Sequence, residues 1–326
     1  MKTLRGSRLC AALVWVLTAM LPGGQALAAE YPERQITAIV PYAAGSTTDT
    51  MARLFGPPLS KALGQQVVVV NRAGADGRIG TEAMAKAAPD GYTIAFSGAA
   101  IAQTPAVRKS VPWDPVRQVL PVAQLGDSAY IIAVNPSVPV KNLAAFLDLA
   151  KKFPGKMNAS VGGDATGMAL SLFQIKNGSK VESIAYKGTG LAGVAVVSGE
   201  VDFGILDASA YASFIPTGRV RALAVAGDKR LAGFPDIPTT EESGFKGFRV
   251  GSMFGVYMTG GAPVVAARRI NAEINKIIAM PEISKTLVQL GLEPNPKSFE
   301  QFQQIYADDL AKWKDVVARA KLPLLD

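Results

Sequence analysis

The sequence predicts an α/β fold, with a largely parallel sheet and helices on both of its faces. The first observation is that short β-branched runs alternate with helical segments, which is typical of such sheets. The second is that this alternation occurs twice, over residues 36–96 and 130–226, with no low-complexity linker between the two stretches. We therefore predict two α/β units joined by strands that cross between them, near Ala129–Val134 and Arg249–Tyr257.

The first unit begins with a buried strand, Ile36–Val40, which Pro41 ends. Thr47 or Thr48 is the predicted cap of the helix that follows, which has a periodic apolar face. The rest of the unit consists of strand Val67–Val70, a turn at Gly74–Gly80, an Ala-rich helix ending at Ala88, and strand Tyr92–Phe96.

The second unit begins with strand Tyr130–Val134 and repeats the alternation. Its further elements are helix Leu143–Lys152, strand Met157–Val161, helix Thr166–Ile175, strand Glu182–Ala185, helix Leu191–Ser198, strand Val201–Leu206 and strand Ala222–Ala226. After Pro263, and again from Phe299 to Val317, apolar residues recur at three- and four-residue intervals. This spacing predicts two amphipathic helices whose aromatic side chains belong to the core.

The N-terminus has the three-part layout of a secretory signal peptide. A basic start precedes the apolar stretch Leu9–Leu21, and the segment ends with the small residues Ala26 and Ala28 on either side of Leu27. The apolar stretch is shorter than the roughly 20 residues that a membrane-spanning helix needs. We therefore predict that residues 1–28 are a signal peptide, cleaved near Ala28, and that the mature protein is exported.

The composition limits the chemistry of the mature chain. There is no histidine, and the one cysteine, Cys10, lies inside the predicted signal peptide. A Ser-His-Asp or Cys-His pair and a thiolate or imidazole metal site are therefore excluded. The 34 Lys and Arg, less three in the signal peptide, leave 31 against 26 Asp and Glu, and these charges are scattered. We expect a binding protein, not an enzyme, with no metal, no cofactor and no nucleic-acid partner. Metal binding by carboxylates alone and an enzyme that uses carboxylates for general acid-base catalysis stay open as alternatives, although no acidic pair at a helical spacing points to either.

Three turns that follow predicted strands and open predicted helices are candidate ligand sites. Ligands of parallel sheets bind outside the carboxyl ends of strands, where helix N-terminal N–H groups suit an anion. The turns are Pro41–Asp49, Ser160–Gly167 and Tyr186–Gly190. In the first turn, helix capping explains the hydroxyls as well as ligand binding does. Together, the three turns predict a cleft that closes on an anion from both sides.

Several short motifs, each modest by itself, share a specific order and spacing over essentially the whole mature chain. They are Tyr31–Ile36, Val40–Asp49, Val70–Ala75, Ile79–Gly80, Ala87–Thr93, Tyr186–Gly188, Gly199–Asp202, Arg221–Val225, Phe234–Thr239 and Glu242–Gly244. In these motifs the chain resembles the Bug-type substrate-binding receptors of tripartite tricarboxylate transport systems.

The resemblance implies a two-lobed periplasmic binding protein (Venus-flytrap) fold, type II-like, with a cleft between two α/β domains. We predict that lobe 1 comprises residues 29–128 plus 251–326 and lobe 2 residues 129–250. The implied function is the capture of a small carboxylate in the periplasm for delivery to two integral membrane subunits. The ligand classes are di- or tricarboxylates, acidic amino acids and aromatic acids, and we expect a monomer. The alternatives are a sensor with a membrane signalling partner and, remotely, an extracytoplasmic enzyme.

The resemblance also implies that the first two turns hold a ligand carboxylate through main-chain amides, hydroxyls and bridging waters, with Asp49 and Asp207 lining or supporting the pocket. The predicted ligand-binding residues are Tyr42, Gly45, Ser46, Thr47, Thr48, Asp49, Arg78, Ser97, Ser160, Gly163, Asp164, Ala165, Thr166, Gly167, Tyr186, Lys187, Gly188 and Asp207.

Five positions depart from the usual residues of the family. Ser46 and Asp164 stand where glycine is common, and Arg78 stands where a small polar residue is common. Ile101 and Met168 lie near positions that carry histidine in the family. Our hypothesis is that Arg78 adds a cation for a second carboxylate of an unusual ligand. The alternative is an exposed arginine on a turn.

Overall fold

The computed structural model of the protein describes residues 31–326, so the predicted signal peptide lies outside the described residues. Within this range nine strands form one sheet. The strands are β1 Ile36–Val40, β2 Val67–Asn71, β3 Thr93–Ser97, β4 Val119–Val134, β5 Asn158–Val161, β6 Glu182–Ala185, β7 Phe203–Asp207, β8 Arg221–Val225 and β9 Gly251–Thr259. The α-helices are α1 Thr47–Leu63, α2 Arg78–Ala85, α3 Ala100–Val107, α4 Leu143–Lys152, α5 Asp164–Asn177, α6 Thr189–Ser198, α7 Val264–Ile278, α8 Pro281–Gln289 and α9 Phe299–Ala320.

The sheet has two halves with the same strand order. In the first half, β1 pairs in parallel with β2 and β3, and β9 is antiparallel to both β3 and β4. In the second half, β5 pairs in parallel with β6 and β7, and β4 is antiparallel to both β7 and β8. The orders are therefore β2-β1-β3-β9-β4 and β6-β5-β7-β4-β8. Each half is one lobe of an α/β protein.

The long strand β4 belongs to both halves. Its residues from Val119 to Ala129 pair with β9, and from Tyr130 onward it pairs with β7 and β8. Both predicted crossing regions are strands, because Ala129–Val134 is the end of β4 and Arg249–Tyr257 overlaps β9. The division into residues 29–128 plus 251–326 and 129–250 stays a prediction, since one continuous sheet runs through both lobes.

Some predicted boundaries were wrong for identifiable reasons. The cap of α1 is Ser46, whose Oγ accepts a hydrogen bond from the Asp49 N–H, and not Thr47 or Thr48. Strand Tyr130–Val134 is only the end of β4, whose earlier part is interrupted by Pro121 and by register shifts. Helix α3 was not predicted because nearly all of its residues are buried, so that it has no amphipathic period.

Apolar side chains cover both faces of each half. In the first half, Phe55 of α1 and Ile270 of α7 pack on one face, and Phe302 of α9 packs on the other. In the second half, Phe173 of α5 packs on one face and Val196 of α6 on the other. The predicted C-terminal helix is α9, and its periodic apolar residues are buried as expected. Within residues 31–326 no helix combines the length and apolar character needed to cross a bilayer.

Candidate functional site

A small cavity lies between the two halves, at the N-termini of four helices. The first half contributes Ser46–Thr48 at the start of α1 and Ala100 of α3; the second contributes Ala165 and Thr166 of α5 and Thr189 of α6. First-turn N–H groups have no acceptor in their own helix and carry partial positive charge. Four such ends at one cavity make it suitable for an anion.

The remaining lining combines aromatic rings, hydroxyls and one carboxyl group. These residues are Tyr42, Gly98, Ala99, Tyr130, Gly162, Gly163, Asp207, Ser252 and Phe254. The hydroxyls of Tyr130 and Ser252 are 2.9 Å apart and hydrogen-bonded. None of the described lining residues is Lys or Arg, so the backbone amides and hydroxyls are the groups that can hold an anion. Over residues 31–326, no group of three or more His, Cys, Asp or Glu side chains could hold a metal ion.

Asp49 supports the first turn and does not line the cavity. Its carboxylate accepts hydrogen bonds from the Gly45 N–H (2.9 Å), from Asn71 Nδ2 (2.9 Å) and from Arg53 Nε (3.0 Å). Burial acts to raise the pKa of Asp49, but the hydrogen bonds from Arg53, Gly45 and Asn71 outweigh it and lower the pKa. Asp49 is therefore an anionic support that fixes the backbone of the turn carrying Ser46–Thr48.

The second turn contributes its backbone to the cavity. Gly163 has φ 139° and ψ −179°, a conformation that strongly favours glycine. The Gly162 N–H donates to Thr166 Oγ1 at 2.8 Å, and Thr166 Oγ1 donates to the Gly163 carbonyl oxygen at 2.9 Å. These bonds hold the turn in the shape that brings Gly163, Ala165 and Thr166 to the cavity.

Three other predicted residues of this region lie outside the cavity. Ser160 is buried at the end of β5, and Gly167 and Asp164 line a separate surface cavity. Both carboxylate oxygens of Asp164 accept hydrogen bonds of 2.8 Å from Arg108, which follows α3. Asp164 therefore connects α5 with α3 and is not free to contact a ligand in the cavity.

Of the three predicted site residues in the third turn, only Gly188 lies close to the cavity. Gly188 is buried, and a Cβ atom there would lie 3.5 Å from Ser46 Cβ. The Tyr186 hydroxyl donates to Glu200 Oε1 at 2.9 Å, and Lys187 is exposed. Neither Tyr186 nor Lys187 lines the cavity. Thr189, which belongs to the predicted third turn but not to the predicted ligand-binding residues, lines it instead.

The two halves are in contact around the cavity. Thr47 Oγ1 of α1 lies 3.2 Å from Thr189 Oγ1 of α6 and 2.6 Å from Ser209 Oγ after β7. The approach is so close that a Cβ atom on Gly190 would lie 2.5 Å from the Gly45 carbonyl oxygen. The structure is therefore a closed arrangement of the lobes.

The residues that depart from the family pattern are not at the cavity, apart from Ser46. Arg78 Nε donates to the Ala75 carbonyl oxygen at 3.1 Å, at the start of its own helix. Ile101 and Met168 are buried in apolar clusters. Ser97, another predicted site residue, is buried at the end of β3 and does not line the cavity either.

Asp207 ends β7 and is the one acidic group among the described lining residues. It is 3% exposed, and its Oδ1 atom has no hydrogen-bond partner among the described residues. Burial raises the pKa of Asp207 to about 6, although the hydroxyls of Ser252 and Thr189 act to lower it. Burial also raises the pKa of Tyr42 and of Tyr130, so both phenols are neutral at neutral pH.

Sequence reasoning missed the start of α3 and the lining residues of the crossing strands. Ala99 and Ala100 carry no capping side chain, and only the preceding strand end and Gly98 mark a strand-to-helix turn. Tyr130, Ser252 and Phe254 lie on β4 and β9, which had been identified only as crossings. The start of α3 could have been predicted, because Gly98 lies between the end of a strand and the start of a helix, as the glycines of the predicted turns do.

Two α/β lobes joined by crossing strands, with a cavity between them that suits an anion, define a solute receptor of the periplasmic binding protein class. Solved structures agree with this class. Periplasmic binding protein BugD matches with a TM-score of 0.85 and 30% identity, covering 90% of this chain and 99% of BugD. Rpa4515 of R. palustris, solved with adipate, matches with a TM-score of 0.86 and 28% identity, covering 91% of this chain and 100% of Rpa4515.

Sequence comparison gives the family. The receptor family of the tripartite tricarboxylate transporters matches residues 51–322. Protein BugT of Bordetella pertussis is 33% identical over 291 residues, which are 88% of this chain and 89% of BugT. The chain belongs to this receptor family and is a Bug-type member. The predicted resemblance and the predicted fold class are confirmed.

Proposed function

We propose that the protein is an exported receptor that captures a small carboxylate in the cavity between its lobes and delivers it to two integral membrane subunits. The observation that supports this most directly is the meeting of four helix N-termini at a cavity without a lining cation. The adipate in the Rpa4515 structure supports a carboxylate as the ligand class. The cleaved signal peptide, the periplasmic location and the monomeric state are parts of the same proposal.

The proposed ligand contacts come from both lobes. They are the first-turn amides of α1, α3 and α5, together with the hydroxyl of Thr48, all at the cavity, while the Thr166 hydroxyl proton is donated to the Gly163 carbonyl oxygen. Gly45 and Asp49 hold the first turn, and Gly188, with φ 113°, gives the third turn a conformation that favours glycine. Arg78, Ser97, Ser160, Asp164, Gly167, Tyr186 and Lys187 are left out of the contact set because none of them lines the cavity.

A thermal-shift screen of the mature chain tests the proposal. The panel contains di- and tricarboxylates, amino acids, aromatic acids, the corresponding neutral amides and neutral sugars. We expect at least one acid to stabilise the protein, by about 2.7 kcal/mol at a concentration a hundredfold above its dissociation constant. The corresponding amide should have no effect. A shift with neutral sugars and with no acid would show that the site is not an anion site.

The variant Thr48→Val tests the placement of the anion. It removes one buried hydroxyl at the cavity and keeps the shape of the side chain. A hydrogen bond to a charged group contributes about 1.5–3 kcal/mol, so the affinity for the acid found in the screen should fall about tenfold or more. Thr50→Val, on the exposed side of the same helix, is the matched control and should bind like the parent. If the two variants bound the acid with equal affinity, the anion would not be bound at the start of α1.

A further inference from the structure

Asp207 occupies a position from which it can contact any ligand in the cavity. It lies at the carboxyl end of β7, paired with Tyr130 of β4, and Ser252 of β9 lies nearby. The side chain is 3% exposed and lines the cavity, and its Oδ1 atom accepts no hydrogen bond from any described residue. Buried polar groups are normally hydrogen-bonded, so an unpartnered carboxylate oxygen in a binding cavity indicates a missing donor.

The hydroxyls of Ser252 and Thr189 lie close enough to act on the pKa of Asp207, but neither makes a hydrogen bond to its Oδ1 atom. The described residues that line the cavity include no Lys or Arg, and the titratable groups beside Asp207 are the phenols of Tyr42 and Tyr130. The Tyr130 hydroxyl is already hydrogen-bonded to Ser252. A buried carboxylate without a counterion is costly, because few favourable interactions replace those it had with water.

A ligand carboxylate bound in the cavity raises the energetic cost of the buried Asp207 carboxylate, unless the ligand also carries a hydrogen-bond donor for Asp207. The helix N-termini can hold the carboxylate of the ligand, but a second anion in so small a cavity then repels Asp207 at short range. Burial raises the pKa of Asp207 to about 6, so the group is mostly ionised at about pH 7.5 and accepts hydrogen bonds only. A hydroxyl or ammonium group on the ligand would satisfy it.

We infer that Asp207 is a specificity-determining residue, which makes the receptor select carboxylates that also carry a hydrogen-bond donor. This inference rests on the proposed function, since it assumes a carboxylate at the helix N-termini. The donor is a hydroxyl or an ammonium group close enough to the ligand carboxylate for both to fit in one cavity. Carboxylates of the same length without a donor are the ligands that Asp207 rejects.

The test compares acids of equal chain length by calorimetry at about pH 7.5. Suitable trios are propionate, lactate and alanine; succinate, malate and aspartate; and glutarate, 2-hydroxyglutarate and glutamate. In the trio that binds most tightly, we expect a donor-bearing acid to bind about tenfold or more tighter than the unsubstituted acid. A preference for the amino acid identifies an ammonium donor, and a preference for the hydroxy acid identifies a hydroxyl donor.

The variant Asp207→Asn assigns the preference to this residue. Asn is neutral, so the amino acid should lose affinity, the hydroxy acid should lose less, and the unsubstituted acid should gain. Asp148→Asn, on the exposed surface of α4, is the matched control and should keep the ranking of the parent. In the parent protein, a measurement at about pH 5, below the pKa of Asp207, should also narrow the ratio between donor-bearing and unsubstituted acids. This second measurement does not depend on the folding of the variant.

Contrary results separate the inference from the proposed function. If unsubstituted acids bind the parent as tightly as their hydroxy and amino counterparts, or if Asp207→Asn keeps the parental ranking, Asp207 is not the specificity residue, while carboxylate binding stands. If none of the acids binds in any trio and none is found in the wider screen, the proposed function fails together with the inference.

Discussion

Asp207 lacks a hydrogen-bond donor at its Oδ1 atom, and burial of its ionised carboxylate lowers the stability of the folded protein. Because its pKa is about 6 in the folded protein, above the ordinary value of 3.8, the folded state holds the proton more tightly than the unfolded state. Between about pH 4 and pH 6 the unfolded chain ionises first, so the free energy of unfolding falls as the pH rises. Above about pH 6 Asp207 is ionised in both states, and the free energy of unfolding is lowered by the full cost of burying its charge.

We therefore predict that Asp207→Asn stabilises the ligand-free protein above about pH 6. The difference in the free energy of unfolding should approach about 3 kcal/mol near neutral pH and vanish below about pH 4. Urea unfolding of the parent and the variant at several pH values measures it. Asp148→Asn, at an exposed position of α4, is the matched control. A parent as stable as Asp207→Asn at about pH 7.5 would mean that Asp207 carries no penalty in the empty cavity.

Between elements, one buried guanidinium group connects parts of the chain that are distant in sequence. Arg108, directly after α3, bonds to both carboxylate oxygens of Asp164 in α5 and to Asp76 before α2 at 3.0 Å. It also donates to the backbone of Asp326 at the end of the chain. The side chains of Arg108 and Asp164 are only 7% and 2% exposed, so water screens this pair poorly. The pair joins the first half of the sheet to the second beside the cavity.

We predict that Asp164→Ala lowers the free energy of unfolding by about 3 kcal/mol, because removing one partner leaves the other charge buried and poorly compensated. The double variant Asp164→Ala and Arg108→Met should recover most of this loss. Urea unfolding of the parent, both single variants and the double variant gives the coupling energy.

An exposed ion pair on α9 provides the control. Removing Asp315, which pairs with Arg319, should change the free energy of unfolding by less than about 1 kcal/mol, since exposed pairs contribute little. If Asp164→Ala were as mild as Asp315→Ala, the buried pair would contribute nothing to holding the lobes together.

In the whole molecule, closure depends on the close approach of the turn before α1 to the start of α6. Gly190 lies in α6, and a Cβ atom there would come within 2.5 Å of the Gly45 carbonyl oxygen on the other side of the cleft. Nothing in its own lobe comes closer. An added methyl group is therefore acceptable within α6 and incompatible with the closed arrangement.

We predict that Gly190→Ala keeps or slightly raises the stability of the ligand-free protein, since alanine is favoured over glycine in helices by about 1 kcal/mol. Ligand affinity should nevertheless fall more than about tenfold, because the ligand binds the closed arrangement. Calorimetry measures the affinity, and X-ray scattering with ligand should show an expanded particle. Gly56→Ala in α1, where a Cβ atom would lie 3.7 Å from Val69, is the control and should bind normally. Normal affinity in Gly190→Ala would contradict closure at this point.

Much of this architecture could be predicted from local sequence, because strands and amphipathic helices have local periods. Helix Leu143–Lys152 and strand Glu182–Ala185 were predicted with the observed bounds. The residues that line the cavity were harder to predict, since the direction of a side chain depends on tertiary packing. Lys187 and Arg78 have the right charge for an anion site, yet neither lines the cavity. Tyr130 looked like an ordinary strand residue, and it lines the cavity because β4 crosses between the lobes.

The change of partners along β4 has a consequence for how affinity can be adjusted. Between Ala129 and Tyr130 the strand changes its main partner from β9 to β7 and β8, and the Tyr130 N–H still donates to the Val250 carbonyl oxygen at 3.0 Å, so bending there disturbs a short stretch of hydrogen bonds and not the whole ladder. We expect the free-energy difference between the open and closed arrangements to be small, and the apparent affinity to be the intrinsic affinity scaled by the closed fraction. A chain closed for about one-hundredth of the time binds about a hundredfold more weakly than its closed form. Substitutions in the two crossing strands can therefore adjust ligand capture without any change in the residues that touch the ligand.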